Sequence, residues 1–254
     1  MLADCAWSEG LGAVPAKTQR LNVFTTEYPP YASTQLPGQG GAVQMLRELL
    51  APTAYEPNVV FRPWARLGIE IQQGAVDLVL LAWPGDIEQH RLLASSPWFS
   101  SRLGLYVRRE DWRADGLGVA ALRGREVAGV RDYAYPPQVH AAGMVVKPGL
   151  SDELNLRMLA LRRHDLVLLE RAVGRFLLTQ LKLTPRGDSR EPLWQEPALA
   201  ELPMLVGVVP GRPYSQHLLS LLDRQLRDYV RSGRYQRLIS RHGFDVSDPG
   251  ALGN

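Results

Sequence analysis

The first eighty residues alternate between two hydrophobic periods, and that alternation admits few folds. Leu21 to Thr26 is short, rich in β-branched and aromatic residues, and runs into Pro29-Pro30, the pattern of a strand stopped by a rigid loop. Behind Gly38, Gly40 and Gly41, the residues Val43, Leu46 and Leu49-Leu50 recur at helical spacing. Asn58 to Arg62 predicts a second strand. Leu67, Ile69 and Ile71 predict a helix closed near Gly74, and Asp77 to Ala82 a buried third strand. Parallel strands cannot be joined by tight hairpins, so this β-α-β-α-β series predicts a parallel sheet with crossover helices.

The same grain returns after a strand at Leu103 to Val107. Leu122-Arg123-Gly124-Arg125-Glu126 leads into a strand, Val127 to Arg131, and a tyrosine-rich turn, Tyr133-Ala134-Tyr135-Pro136-Pro137. Ser151-Asp152-Glu153 caps a helix carrying Leu154, Met158 and Leu161, and Leu166 to Leu169 is a short strand that delivers Glu170 to its end. Met204 to Val209 adds a strand. A long amphipathic helix from Pro213 stops near Gly233, and a last helix, Tyr235 to Arg241, ends at Gly243. No sequence repeat accompanies the two halves, so the expectation is two α/β lobes rather than an array.

Composition narrows the function classes. With 254 residues, 45% hydrophobic and 22% charged, the chain has material for a packed core and is neither disordered nor fibrous. Its 29 basic and 26 acidic residues are interspersed, with no phosphate-tracking stripe, so nucleic acid is not an expected partner. The single cysteine, Cys5, and five dispersed histidines offer neither an internal disulfide nor metal-ligand spacing, so no metal or cofactor is expected. No stretch approaches the roughly 18 apolar residues of a membrane span. Residues 1–19 lack the basic start and apolar run of a secretory signal and read as an N-terminal extension or signal remnant.

In its order of landmarks the chain resembles the type II periplasmic solute-binding proteins, the amino-acid-binding (family 3) kind that serves ABC transporters. The landmarks are Tyr28-Pro29-Pro30-Tyr31, Gln73-Gly74-Ala75-Val76-Asp77, Ser95-Ser96-Pro97-Trp98, Leu122-Arg123-Gly124-Arg125, Ser232-Gly233-Arg234-Tyr235 and Arg241-His242-Gly243. The resemblance spans residues 20 to 244. It implies an α/β fold of two lobes, each a mainly parallel sheet flanked by helices, joined by two hinge strands near Leu103–Arg108 and Met204–Val209. Lobe 1 would comprise residues 20–106 plus 207–254, and lobe 2 residues 107–206. It further implies a periplasmic monomer that captures a small-molecule solute by hinge closure and hands it to a membrane permease, without catalysis. A ligand-sensing module for a membrane receptor and a dehydratase-like enzyme are the alternatives on the same fold.

Strand carboxyl ends in such sheets point to the site residues. The resemblance places an aromatic stacking face at Tyr28 and an ammonium-binding carboxylate at Glu170. Trp64 and Arg66, at the start of the second helix, are candidates for a cleft wall and an anion contact. Relatives carry small hydroxyl donors and an Arg seven residues before the Ser of the Ser-x-Pro-aromatic motif; here those positions hold Leu81, Ala82, Pro84 and Glu88, with Trp83 beside them. The arginine that clamps an α-carboxylate is therefore missing, and Arg66, Arg91 and Arg131 are the possible replacements. Tyr133 and Tyr135 complete the candidate ligand contacts. Loss of the clamp disfavours a simple α-amino acid and points to a larger, more apolar or cationic solute that stacks on aromatic faces, within the expected class of small polar or cationic ligands.

Overall fold

The computed structural model describes residues 18–244. Expectations for the N-terminal extension, Cys5 included, and for residues 245–254 lie outside the described residues. The first half begins with β1 (Gln19–Thr25), α1 (Gly41–Leu50), β2 (Tyr55–Phe61), α2 (Leu67–Gln72), β3 (Leu78–Ala82), α3 (Pro84–Gln89) and the two-residue β4 (Leu93–Ala94). β5 (Phe99–Arg108) leads to the second half: α4 (Val119–Leu122), β6 (Glu126–Val130), α5 (Pro137–Ala141), β7 (Val145–Gly149), α6 (Asp152–Ala160), β8 (Val167–Glu170) and α7 (Arg171–Leu181). β9 (Pro192–Val208), α8 (Ser215–Arg231) and α9 (Arg234–His242) follow.

β1 lies between β2 and β3, parallel to both, and β6 lies between β7 and β8, again parallel to both. Each half thus repeats one order: its first strand in the middle, its second outside and its third facing the other half. The expected parallel sheets with crossover helices are present. β5 and β9 join them as an antiparallel pair, with β9 also antiparallel to β3 and β5 to β8. Because side chains alternate across a strand, β1 buries Leu21 and Val23 in one core and Phe24 in another, with Trp64, Leu67 and Val79. Covering helices on both faces account for that double burial. α8 and α9 pack against α1, and the Tyr229 hydroxyl on α8 donates to Glu48 at 2.8 Å.

β7 has no counterpart in the sequence expectation, and two further elements depart from it. β9 starts at Pro192, well before the expected Met204, although Pro197 and Pro203 read as strand breakers. The pairing of β9 with β5 shifts register between Leu103/Ala200 and Leu105/Gln195, and Pro197 falls in the bulge that results. Helix α7 is the second departure, and Gly174 inside it has a packing reason. A Cβ there would lie 2.3 Å from the Tyr106 ring, itself buried and donating its hydroxyl to the Arg171 carbonyl at 2.7 Å. Gly174→Ala should therefore lower unfolding free energy by about 1–3 kcal/mol in urea denaturation, against the gain that Ala gives an ordinary helix position.

Candidate functional site

The carboxyl ends of β1, β2, β3 and β6 converge on one crevice between the halves. Thr26, Tyr28 and Leu81 line it with the rings of Trp64, Trp83 and Tyr133, and Asp86 stands among them. Its volume is about 20 Å³, space for one water but nothing larger. Any organic solute must therefore displace one of the rings or part the two halves.

The first-half wall is set by a break in β3. Leu81 has φ 68°, and the pairing with β9 slips between Leu80 and Ala82. A left-handed conformation is costly for a residue with a Cβ, and here it accompanies the turn of Leu81 to the crevice. Trp83 follows as the N-cap of α3. The Asp86 carboxylate then accepts the Trp83 backbone N–H at 2.8 Å and the Trp64 indole N–H at 3.0 Å. One carboxylate thus ties both tryptophans in place.

The second half contributes Tyr133, one residue after Asp132 (φ 62°) in the turn that ends β6. The Tyr133 ring meets Tyr28, Trp64 and Trp83 edge-on at centroid distances of 6.3, 6.2 and 5.7 Å. Its hydroxyl donates to Asp152, the first residue of α6, at 3.2 Å. Close by, a Cβ on Gly85 would stand 2.9 Å from the Ala134 Cβ, so the two halves meet where only a glycine fits.

No protein-family model matches the chain, and neither does any curated protein. Solved structures do. A histidine kinase sensor domain with similarity to periplasmic binding proteins superposes with a TM-score of 0.75 at 19% identity, covering 91% of this chain and 99% of that one. An ABC uptake transporter substrate binding protein from Streptococcus pneumoniae, with bound histidine, gives 0.73 at 14% identity over 90% and 94%. A mutant ArgBP from T. maritima gives 0.72 at 19% identity over 89% and 96%. The chain has the type II periplasmic-binding-protein fold. The sequence resemblance is borne out at that level.

Within this binding-protein fold, Tyr28, Trp64, Trp83 and Tyr133 come together at the crevice, and the other candidates do not line it. Tyr135 sits behind, tilted against Trp83 at 6.1 Å, with its hydroxyl accepting the Val130 N–H at 2.7 Å. Glu170 is buried and caps α7 by accepting the Val173 N–H at 2.7 Å. Arg66 is exposed and paired with Glu70 at 3.3 Å; Arg131 and Arg91 are also exposed. Among the described residues no Arg, Lys or His lines the crevice, and no His, Cys, Asp and Glu side chains cluster in a way that could hold a metal ion. Sequence reasoning misses Asp86 and Asp152 as site residues. Their signal is positional, each in the first turn of a helix that follows an aromatic turn or strand end.

Burial governs the electrostatics. Desolvation raises the Asp152 pKa to about 7, against the Tyr133 hydrogen bond, which lowers it, and with further upward pressure from Glu170. Desolvation likewise raises Asp86 to about 6, partly offset by the amide of Trp83, the indole of Trp64 and the backbone of Ala134. Tyr28 and Tyr133 are pushed well above the ordinary phenol range, first by burial and then by neighbouring acids.

These acids make stability depend on pH. Both have folded-state pKa values above their unfolded ones, so between about pH 4 and 7 the folded protein holds protons that the unfolded chain has lost. Raising pH through that window destabilises the fold, by up to about 1.4 kcal/mol per acid for each pH unit crossed. His90 and His242, whose pKa values burial lowers, act in the opposite direction below their ordinary range. Comparison with Asp152→Asn isolates the acid: thermal melts from about pH 5 to 8 should fall more steeply in the parent than in the variant, and equal slopes would remove Asp152 as a proton holder. Separately, Asp86→Ala frees the Trp64 indole and the α3 N-terminus together and should cost about 1–3 kcal/mol in denaturant titration.

Proposed function

We propose that this chain is a solute-binding protein that captures a small polar or cationic molecule in the crevice by closing two lobes, residues 20–106 with 207–254 and residues 107–206. The observation that carries this reading is the seating of Tyr133, from the second half, against Tyr28, Trp64 and Trp83 of the first. A ligand that prefers the closed arrangement shifts the population toward it by its difference in affinity for the two. β5 and β9, the strands between the halves, are the hinge in this reading. Extracytoplasmic capture and delivery to an ABC transporter permease as a monomer fit the uptake proteins that share the fold. Among the described residues no helix is long and apolar enough to cross a membrane. The similarity to a histidine kinase sensor domain supports a second reading, a sensing module that reports the same capture to a receptor.

A thermal-shift screen of amino acids, polyamines and quaternary amines tests capture. A ligand at 100 times its Kd should add about 2.7 kcal/mol of stability, and turnover of any hit would favour an enzyme instead. Gly85→Val places a side chain against Ala134. It should weaken binding while leaving the unfolding midpoint without ligand nearly unchanged, and small-angle scattering with saturating ligand should retain a larger radius than in the parent. An unchanged affinity would remove closure at this contact from the mechanism.

A further inference from the structure

The character of the crevice identifies a class of solute, an inference that rests on the capture reading above. Four of the residues that line it are aromatic, Tyr28, Trp64, Trp83 and Tyr133. Among the described residues the one charged side chain in the lining is an acid, Asp86, and a second acid, Asp152, holds the Tyr133 hydroxyl. Both carboxyl groups are buried, at 3% and 5% exposure. A ligand carboxylate placed here would enter a low-dielectric site beside like charges with no basic side chain in the lining, an arrangement that costs far more than a hydrogen bond returns. Above about pH 7, where both acids are ionised, a cation meets the opposite situation, aromatic rings in the lining and negative charge beside them.

A second, independent feature refines the class. The Tyr28 hydroxyl and the Trp83 indole N–H are buried and have no hydrogen-bond partner among the described residues. Both residues line the crevice and are about 95% buried. An indole N–H can only donate, so it requires an acceptor. The acceptor cannot be anionic for the reason just given.

We propose that the crevice binds an organic cation that lacks a carboxylate and bears a neutral oxygen acceptor, its ammonium against the rings of Trp64, Trp83 and Tyr28 and its oxygen at the Tyr28 hydroxyl and the Trp83 indole. Lysine-like and amide-bearing amines belong to the class only when their acid group is absent or masked.

Three quaternary ammonium compounds separate these contributions: tetramethylammonium has the cation alone, choline adds a neutral oxygen, and glycine betaine adds a carboxylate. L-glutamate serves as an acid control. At about pH 8, where Asp86 and Asp152 are ionised, tryptophan fluorescence and calorimetric titration on the full chain should rank choline first, tetramethylammonium weaker by about threefold or more, and glycine betaine and L-glutamate weaker by at least about tenfold. Asp152→Asn keeps an acceptor for Tyr133 while removing a charge, and should weaken choline by about fivefold or more. Trp83→Phe keeps a ring but not the N–H, and should abolish the advantage of choline over tetramethylammonium. Tight binding of glycine betaine with weak binding of choline would overturn the exclusion of a carboxylate, and tight binding of L-glutamate the cation itself; either result overturns the assignment while leaving capture in the crevice intact. Choline binding that is indifferent to both substitutions would overturn the site. Silence of all four compounds up to roughly 10 mM, beyond the weakest affinity such contacts give, would overturn the assignment too, and the broader thermal-shift screen then decides capture separately.

Discussion

The pairing of β5 with β9 is the constraint on which the rest of the arrangement depends. Each half is a small parallel sheet whose third strand, β3 or β8, needs a partner on its open side. β9 supplies that partner to β3, and β5 supplies it to β8, while the two pair with each other. Without them both sheets would present a buried strand as an exposed edge, an unstable and aggregation-prone state. With them, the carboxyl ends of β1, β3 and β6 face one another across a single crevice. The register shift near Leu103 puts a bulge in the pair, the irregularity by which a paired strand bends.

At the crevice the same economy is visible in side chains. Asp86 satisfies two donors, one from each tryptophan wall, and Asp152 satisfies the hydroxyl of the ring that crosses from the other half. A buried carboxylate is tolerated when hydrogen-bonded, yet its pKa rises because desolvation outweighs those bonds. Both acids therefore keep their protons to higher pH than they would in water, and the pH response of stability is a consequence of acids held out of water.

Much of the architecture is legible because it rests on periodicity. Leu21 to Thr26, Asn58 to Arg62, Asp77 to Ala82 and Val127 to Arg131 read as strands from short β-branched runs, and α1, α6, α8 and α9 read as helices from their apolar spacing. β7 and α7 escape that reading. β7 is a half-exposed edge strand containing Pro148, and α7 is interrupted by Gly174, whose reason is the Tyr106 ring across the interface. The periodicity cuts β9 short because proline usually ends a strand, and only the partner strand shows that Pro197 lies in a bulge.

The alternation of strands and helices in the first eighty residues, Glu88 where the family resemblance expects an arginine, and the aromatic character of the loops after β1 and β6 were all legible in the residues themselves. They depend on local spacing and residue type, which a linear chain displays. The tertiary structure alone decided which of those aromatics share a crevice, why Tyr135 and Glu170 stand behind it, and that Asp86 and Asp152 are its buried acids. Those properties depend on contacts between segments separated by up to about a hundred residues, and on the loss of water that occurs only when the two halves meet.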